Sequence, residues 1–276
     1  MLSVGCTEEQ SIIQPNKPNI VVWGFFHPQQ IFLVKLASSM AIENVNTIDT
    51  TGIQDAIVLL YEDGKLIDTL KHQQKGTYRS SHNIKPQVGH VYFITAQKTG
   101  YPSIETQPDT MPDLLKLQSV KATWAKIQNY YVGLLEAEFE AYPKVAHLGL
   151  NCEALDQSGT WRIKTEATCM DEIFFLQHFN YHDFSCFPGL NIIQLYGSSF
   201  TTSYPKEKEL SLRFSFAVPS RNLSTYFQKF IEHDRSVSDL SSVDIFAQPI
   251  FLPDMVKNGY GFVGCFNSQS QILKVE

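Results

Sequence analysis

From Asn19 to Gln107 the chain repeats one pattern, a short aromatic and β-branched run closed by a turn signal, and this rhythm constrains the fold more than any other feature. NIVVWGFF and IFLVKLA flank the His27–Pro28 turn and read as a first hairpin. A polar stretch, SSMAIENVNTIDTTG, leads into DAIVLLYEDGKLIDTLKH. There Asp63–Gly64 supplies the positive φ angles that a tight hairpin turn demands. Ala56, Val58 and Leu60 alternate before the turn, and Leu66 and Thr69–Leu70 follow it. Gly76 with TYRS, GHVYFITAQ and SIETQ continue at intervals of about 8–12 residues, the spacing of a β-sandwich. The expectation is a mainly β protein whose N-terminal domain, residues 18–108, is immunoglobulin-like or transthyretin-like.

QPDTMPD ends that series, because Pro108 and Pro112 cannot donate to a sheet and restrict the residues before them. A larger β-sandwich-like domain is expected over 114–276. It opens with LLKLQSVKATWAKI and NYYVGLLEAEFEA, continues through HLGLNCEAL and turns at Asp156–Gly159. Its clearest strand is ELSLRFSFAV, with Leu210, Leu212, Phe214, Phe216 and Val218 on a core face and Ser211, Arg213 and Ser215 on a wet one. SRNLSTYFQKFIEHD then changes period. Leu223, Tyr226, Phe227, Phe230 and Ile231 recur at helical spacing, with Ser220 or Asn222 as the N-cap, so one amphipathic helix is expected over about 221–234, covering a face of its own sandwich.

Two domains suit 276 residues. With 22 basic against 28 acidic residues and a net charge of −6, the chain lacks the broad cationic surface that collects phosphates, so nucleic acid is not an expected partner. No apolar run reaches the roughly 18 residues a spanning helix needs, so membrane attachment would be covalent or peripheral. None of the five cysteines forms a CxxC pair, which removes the usual zinc-ribbon and thioredoxin-like readings. Cys152, Cys169, Cys186 and Cys265 remain as buried thiols or disulfide partners; the first three recur at equal spacing, as residues on neighbouring strands would.

The amino terminus places a cysteine behind an apolar run and a glycine. Leu2, Ser3, Val4 and Gly5 precede Cys6, and the hydrophilic stretch from Thr7 to Pro18 follows it. This is the order of a lipoprotein signal end, an acylated cysteine and a tether, so Cys6 is the expected lipid attachment site and residues 1–17 a signal remnant and tether. The acyl chains would hold the body at a membrane.

Across most of its length, from about Lys17 to Phe266, the chain resembles the Bacteroidetes lipoproteins of domain-of-unknown-function family 4249. The residues that carry the resemblance are NIVVWGFF, QDAIVLLYEDGKLI, GTYRS, VGHVYFITAQKTGYPSIET, the NYY after the proline-marked boundary, the STYFQKF helix and DIFAQPIFLPDMVKNGYGFVGCF. The most specific piece is the closing glycine run of Asn258, Gly259, Gly261, Phe262 and Gly264. What the resemblance implies is an outer-membrane lipoprotein of the cell envelope, an accessory or binding component beside a TonB-dependent transporter. It implies no catalytic residues and no cofactor. The glycines read as backbone permissiveness in a turn or a closely packed strand.

Two other classes of function are weighed against that one. LQHFNYHDFSCFPG carries His178, His182, Asp183 and Cys186, candidate metal ligands or the centre of an enzyme. Its aromatic content favours a strand or loop, however, where residues four apart lie about 13 Å from each other along the chain, too far to share an ion. No G-x-S-x-G elbow, H-E-x-x-H pair or phosphate-cradling glycine loop occurs. The acidic pairs Glu62–Asp63, Asp171–Glu172 and Glu136 with Glu138 read as solvated surface acids. Trp23, Trp124 and Trp161 with Tyr130–Tyr131 are either core residues or a stacking platform for sugars or a partner protein. A surface adhesin or structural module is the third class.

Overall fold

The computed structural model describes residues 18–39, 52–127, 130–139, 147–155, 161–163, 174–176, 179–183, 192–196, 211–238 and 253–275. The chain is mainly β. In order it forms β1 (Ile20–Phe26), β2 (Leu33–Ser38), β3 (Ile57–Glu62), β4 (Lys65–His72), β5 (Thr77–Arg79), β6 (Val91–Gln97), β7 (Ile104–Thr106), β8 (Asp109–Thr110), β9 (Leu117–Ile127) and β10 (Tyr130–Phe139). Then come β11 (His147–Leu155), β12 (Trp161–Ile163), β13 (Phe174–Leu176), β14 (Phe179–Asp183), β15 (Ile192–Tyr196), β16 (Ser211–Pro219), α1 (Arg221–Ser238), β17 (Val256–Lys257) and β18 (Tyr260–Lys274). Fifteen strands join one mixed sheet, and β15, β10 and β9 form a separate three-stranded one.

The two hairpins read from sequence are present. β1 pairs antiparallel with β2, and β3 with β4 across Asp63 (φ 49°) and Gly64 (φ 77°), both in the left-handed region. Val58, Leu60 and Leu70 are buried as the alternation requires. Leu66 shares the face of Leu70 but sits at the hairpin tip and stays 54% exposed. The buried residues of β1 and β2 share one cluster with those of β3, β4 and β6, so these parts of the sheet face each other across a common core. Aromatic contacts bridge them: the ring of Tyr92 on β6 lies 6.3 Å from Phe26 and 5.1 Å from Phe32.

The end of the chain completes this N-terminal unit. The first half of β18 runs parallel to β1, from Tyr260 opposite Val21 to Cys265 opposite Phe26, and its second half pairs antiparallel with β16. β17 adds to β7 at the far edge. One long strand thereby joins the N-terminal half of the sheet to the C-terminal half. The glycine run has its physical reason here. Gly261 sits at φ 99°, and a Cβ on it would stand 2.0 Å from the Val22 carbonyl oxygen, so only glycine lets the two backbones lie this close. A Cβ on Gly264 would meet Leu223 of the helix at 2.6 Å.

The helix starts where the sequence places it and runs to Ser238. Ser220 is the cap: its Oγ accepts from the Leu223 amide at 3.1 Å. Leu223, Tyr226 and Phe227 bury their side chains on the sheet, against Phe25 and Phe262, so the stripe covers the protein's own β layer. On β16 the four described core residues Leu212, Phe214, Phe216 and Val218 are at most 2% exposed. Its other face is not wet throughout. Ser215 and Ala217 are buried as well, because β16 lies between β11 and β18, and Ser215 Oγ meets Ser270 Oγ at 2.8 Å.

Residues 107–113 are pinned rather than loose. Asp109 and Thr110 form β8 against β6, the Pro108 carbonyl accepts from Asn222 Nδ2, and the Pro112 carbonyl from Asn267 Nδ2. Buried Asp109 is the centre of this strap. Its Oδ2 accepts from Ser220 Oγ at 2.5 Å and from the Cys265 amide at 2.7 Å, and its Oδ1 from the Thr110 amide at 3.1 Å. One carboxyl group thus ties the strap, the helix cap and the junction of β18 together. Burial holds it above the usual carboxylate range against the pull of those hydrogen bonds. Cys265 is a free, buried thiol beside it; burial first and then the Asp109 charge push it well up, so it stays protonated and donates to the Asp109 carbonyl.

Candidate functional site

Along β1 the alternation that buries Ile20, Val22 and Phe26 turns Trp23 outward, where it is 40% exposed. Trp23 lies directly opposite Lys35 on β2, and Leu33 directly opposite Arg79 on β5. Directly opposed residues share a face, so an indole, an aliphatic side chain and two cations form one outward patch across three strands. The β1–β2 connection contributes Gln29 and Gln30 at one side, the segment after β5 contributes Lys85, and Phe266 and Ser268 of β18 form the back. Together they line an open groove of about 890 Å³. That is within the roughly 300–1,000 Å³ of small-molecule sites. No carboxylate lines it, and among the described residues Lys35, Arg79 and Lys85 make no ion pair. Lys98, by contrast, is paired with Asp55.

His27 builds the back wall and is almost fully buried. Its Nδ1 accepts from the Gln29 amide at 3.2 Å, so the ring proton resides on Nε2, which donates to Ser268 Oγ at 2.9 Å. The imidazole also lies 4.9 Å from the Phe266 ring. It therefore joins the β1–β2 turn to β18. Burial lowers its pKa below the ordinary histidine value. A titration of His27 followed by NMR is expected to give a midpoint below about 6.5. Because the unfolded chain binds the proton more readily, stability from this group is present above the ordinary value and is lost as pH falls through the lowered one.

Several acids and histidines elsewhere are engaged in structural bonds. Glu62 accepts from Tyr92 OH at 2.5 Å, and Asp63 accepts from the Val91 amide at 3.0 Å and faces His90 Nδ1 at 2.7 Å. These two acids tie the β3–β4 turn to β6, Asp63 from the exposed surface; its carboxyl is held below the usual range, chiefly by the Val91 hydrogen bond. Asp68, Ser80 and His82 gather as well, yet not in a relay. Ser80 Oγ donates directly to Asp68 Oδ2 at 2.5 Å, and His82 Nδ1 faces Asp68 Oδ1 at 3.0 Å, so the Ser80 proton goes to the carboxylate and not to the imidazole. Burial pushes Asp68 up, but the bonds from Ser80, His82 and Thr69 outweigh it and leave its carboxyl below the usual range.

Cys6, His178, Cys169, Cys186, Asp171 and Glu172 lie outside the described residues. His182 and Asp183 fall on β14, paired with Leu148 and His147 of β11, and Cys152 falls on β11 opposite Phe214. The HFNYHD stretch is thus a strand where it is described, as its aromatic content suggests. Among the described residues no three histidine, cysteine, aspartate or glutamate side chains gather as metal ligands. The aromatic residues weighed as one platform are distributed. Trp23 is on the large sheet, Trp124, Tyr130 and Tyr131 are on the three-stranded sheet with Glu136 and Glu138, and Trp161 is on β12. The sequence reading did not single out Lys35, Arg79, Lys85 or the two glutamines. The available signal was the cross-strand register, in which Trp23 faces Lys35 and Leu33 faces Arg79.

No helix among the described residues is long and apolar enough to cross a membrane. No curated protein matches the chain. One family model does, over residues 7–272, a span that includes the groove-bearing strands, the strap around Asp109, the capped helix and the glycine-bearing β18. By that match the chain belongs to the family described as Domain of unknown function (DUF4249).

Proposed function

We propose that this protein is a ligand-binding component of the cell envelope, held at the outer membrane by a lipid on Cys6 and serving as an accessory to a TonB-dependent transporter. The observation that carries the binding half is the groove. There an exposed tryptophan stands beside three cations that make no ion pair among the described residues, on strands whose inner faces are packed. Rigid strands also keep such a constellation in place for a ligand. The membrane half rests on Cys6 with its polar tether and on what the family resemblance implies.

A thermal-shift screen of saccharides, peptides and metabolites against the wild-type protein and Trp23→Ala tests the first half. At least one ligand is expected to raise Tm of the wild type and leave the variant unmoved. If every ligand that acts on the wild type acts equally on Trp23→Ala, the groove is not the site. For the second half, the mass of the membrane-extracted protein is expected to show acylation on Cys6 as the first residue, and gentle detergent extraction to recover a transporter with it. An unmodified Cys6 in the mature protein would remove the anchor.

A further inference from the structure

The groove's lining points to a chemical class of ligand, and this step rests on the binding reading above. The chain as a whole is acidic, at −6, yet the groove presents Lys35, Arg79 and Lys85 and no carboxylate. Such a local reversal of sign concentrates anions, and it does so where nothing in the described protein neutralises the three cations. Lys35 lies opposite Thr77 and Arg79 opposite Leu33, so these two cations sit diagonally across adjacent strands, and Lys85 joins them from the segment after β5. Three cations in one groove of about 890 Å³ favour a ligand with more than one charge over a single small anion. Trp23, 40% exposed on β1 beside Lys35, offers an apolar plane, and Gln29 and Gln30 offer both donors and acceptors. An amide pair matches hydroxyl groups, which also donate and accept. The groove is open to solvent, and its volume of about 890 Å³ has room for more than one sugar ring.

We infer that the groove binds an anionic oligosaccharide, with Trp23 against the face of a sugar ring, Lys35, Arg79 and Lys85 paired with its carboxylates or sulfates, and Gln29 and Gln30 on its hydroxyls. The shared chemistry is a hydroxylated ring bearing a fixed negative charge; carboxylate and sulfate are its two sources.

Calorimetric titration with oligogalacturonate, a heparin-derived oligosaccharide and neutral maltohexaose tests this on the full chain. One or both anionic probes are expected to bind, to weaken with added salt, and to lose about tenfold in affinity in each of Arg79→Gln and Lys85→Gln. Trp23→Ala is expected to lose at least as much, and maltohexaose not to bind. The two anionic arms tell carboxylate from sulfate recognition. Both cation positions are exposed, so these variants keep the fold, and an unchanged Tm checks that. Binding of maltohexaose as strong as that of the anionic probes, or anionic binding indifferent to Arg79→Gln and Lys85→Gln, overturns the assignment of charge while leaving a groove ligand in place. An acidic peptide that binds through the same cations when no oligosaccharide does overturns the sugar class. If no compound of any class distinguishes wild type from Trp23→Ala, the binding function itself falls.

Discussion

Replacing Asp109 by alanine is expected to lower the unfolding free energy by about 4 kcal/mol, read from urea denaturation with the wild type as reference. The size follows from what the carboxyl group holds. Ser220 Oγ, the Cys265 amide and the Thr110 amide all donate to it, and the first two come from buried groups. Removing one acceptor group leaves several donors without a partner, each costing about 1–3 kcal/mol when water cannot replace it. The damage extends outward, since Ser220 also caps the helix and Cys265 lies at the end of the β1–β18 pairing. Asp109→Asn keeps an oxygen for Ser220 and Cys265 and is expected to cost about 1–2 kcal/mol. A loss below 1 kcal/mol in Asp109→Ala would mean that the strap is not held by this group.

The same residue has a pH signature opposite to that of Asp68. Burial raises Asp109 in the folded state, so the native protein holds its proton more tightly than the unfolded chain does. Stability from it is then greatest below the ordinary aspartate value and falls as pH rises through the elevated folded value. Asp68 is lowered, so its contribution is present above the ordinary value and is lost as pH falls through the lowered one. Urea midpoints measured across acidic pH are expected to show the upper arm flattened in Asp109→Asn and the lower arm flattened in Ser80→Ala.

Gly261→Ala is expected to be comparably severe, at about 4 kcal/mol or outright failure to accumulate folded protein. Two costs combine: a left-handed φ of 99° that a side chain disfavours, and a methyl group 2.0 Å from the Val22 carbonyl oxygen, which belongs to a backbone fixed between two neighbouring strands. Gly64→Ala separates them. It has a φ of 77° but nothing within 4 Å of the added methyl, so its cost is expected to stay near 1 kcal/mol. If the two variants were equally mild, the parallel approach of β18 to β1 would not be as tight as described.

Local features of the fold were legible because they are written in local chemistry. Asp63–Gly64 forces a hairpin wherever the strands go, and the helical spacing of Leu223, Tyr226 and Phe227 selects its own buried face. What could not be read is non-local. Nothing around Tyr260 says that a strand more than 200 residues from β1 will lie parallel to it, and the glycines that permit this show only as permissiveness until Val22 is seen beside them. Asp109 reads as one more polar residue in a proline-rich connector, since its partners come from 111 and 156 residues away. The groove was half legible. Trp23 was weighed as a stacking residue, but in company with tryptophans that lie on other elements; its actual neighbours, Lys35 and Arg79, are set by register across β2 and β5.

A ligand is expected to sit on Trp23. The chain has three tryptophans, so Trp124→Phe with Trp161→Phe leaves Trp23 as the sole indole reporter. A ligand that raises Tm of this variant is expected to shift or quench the Trp23 emission in proportion to occupancy. A ligand that stabilises the protein to the same extent while the Trp23 emission stays unchanged would place the binding site elsewhere.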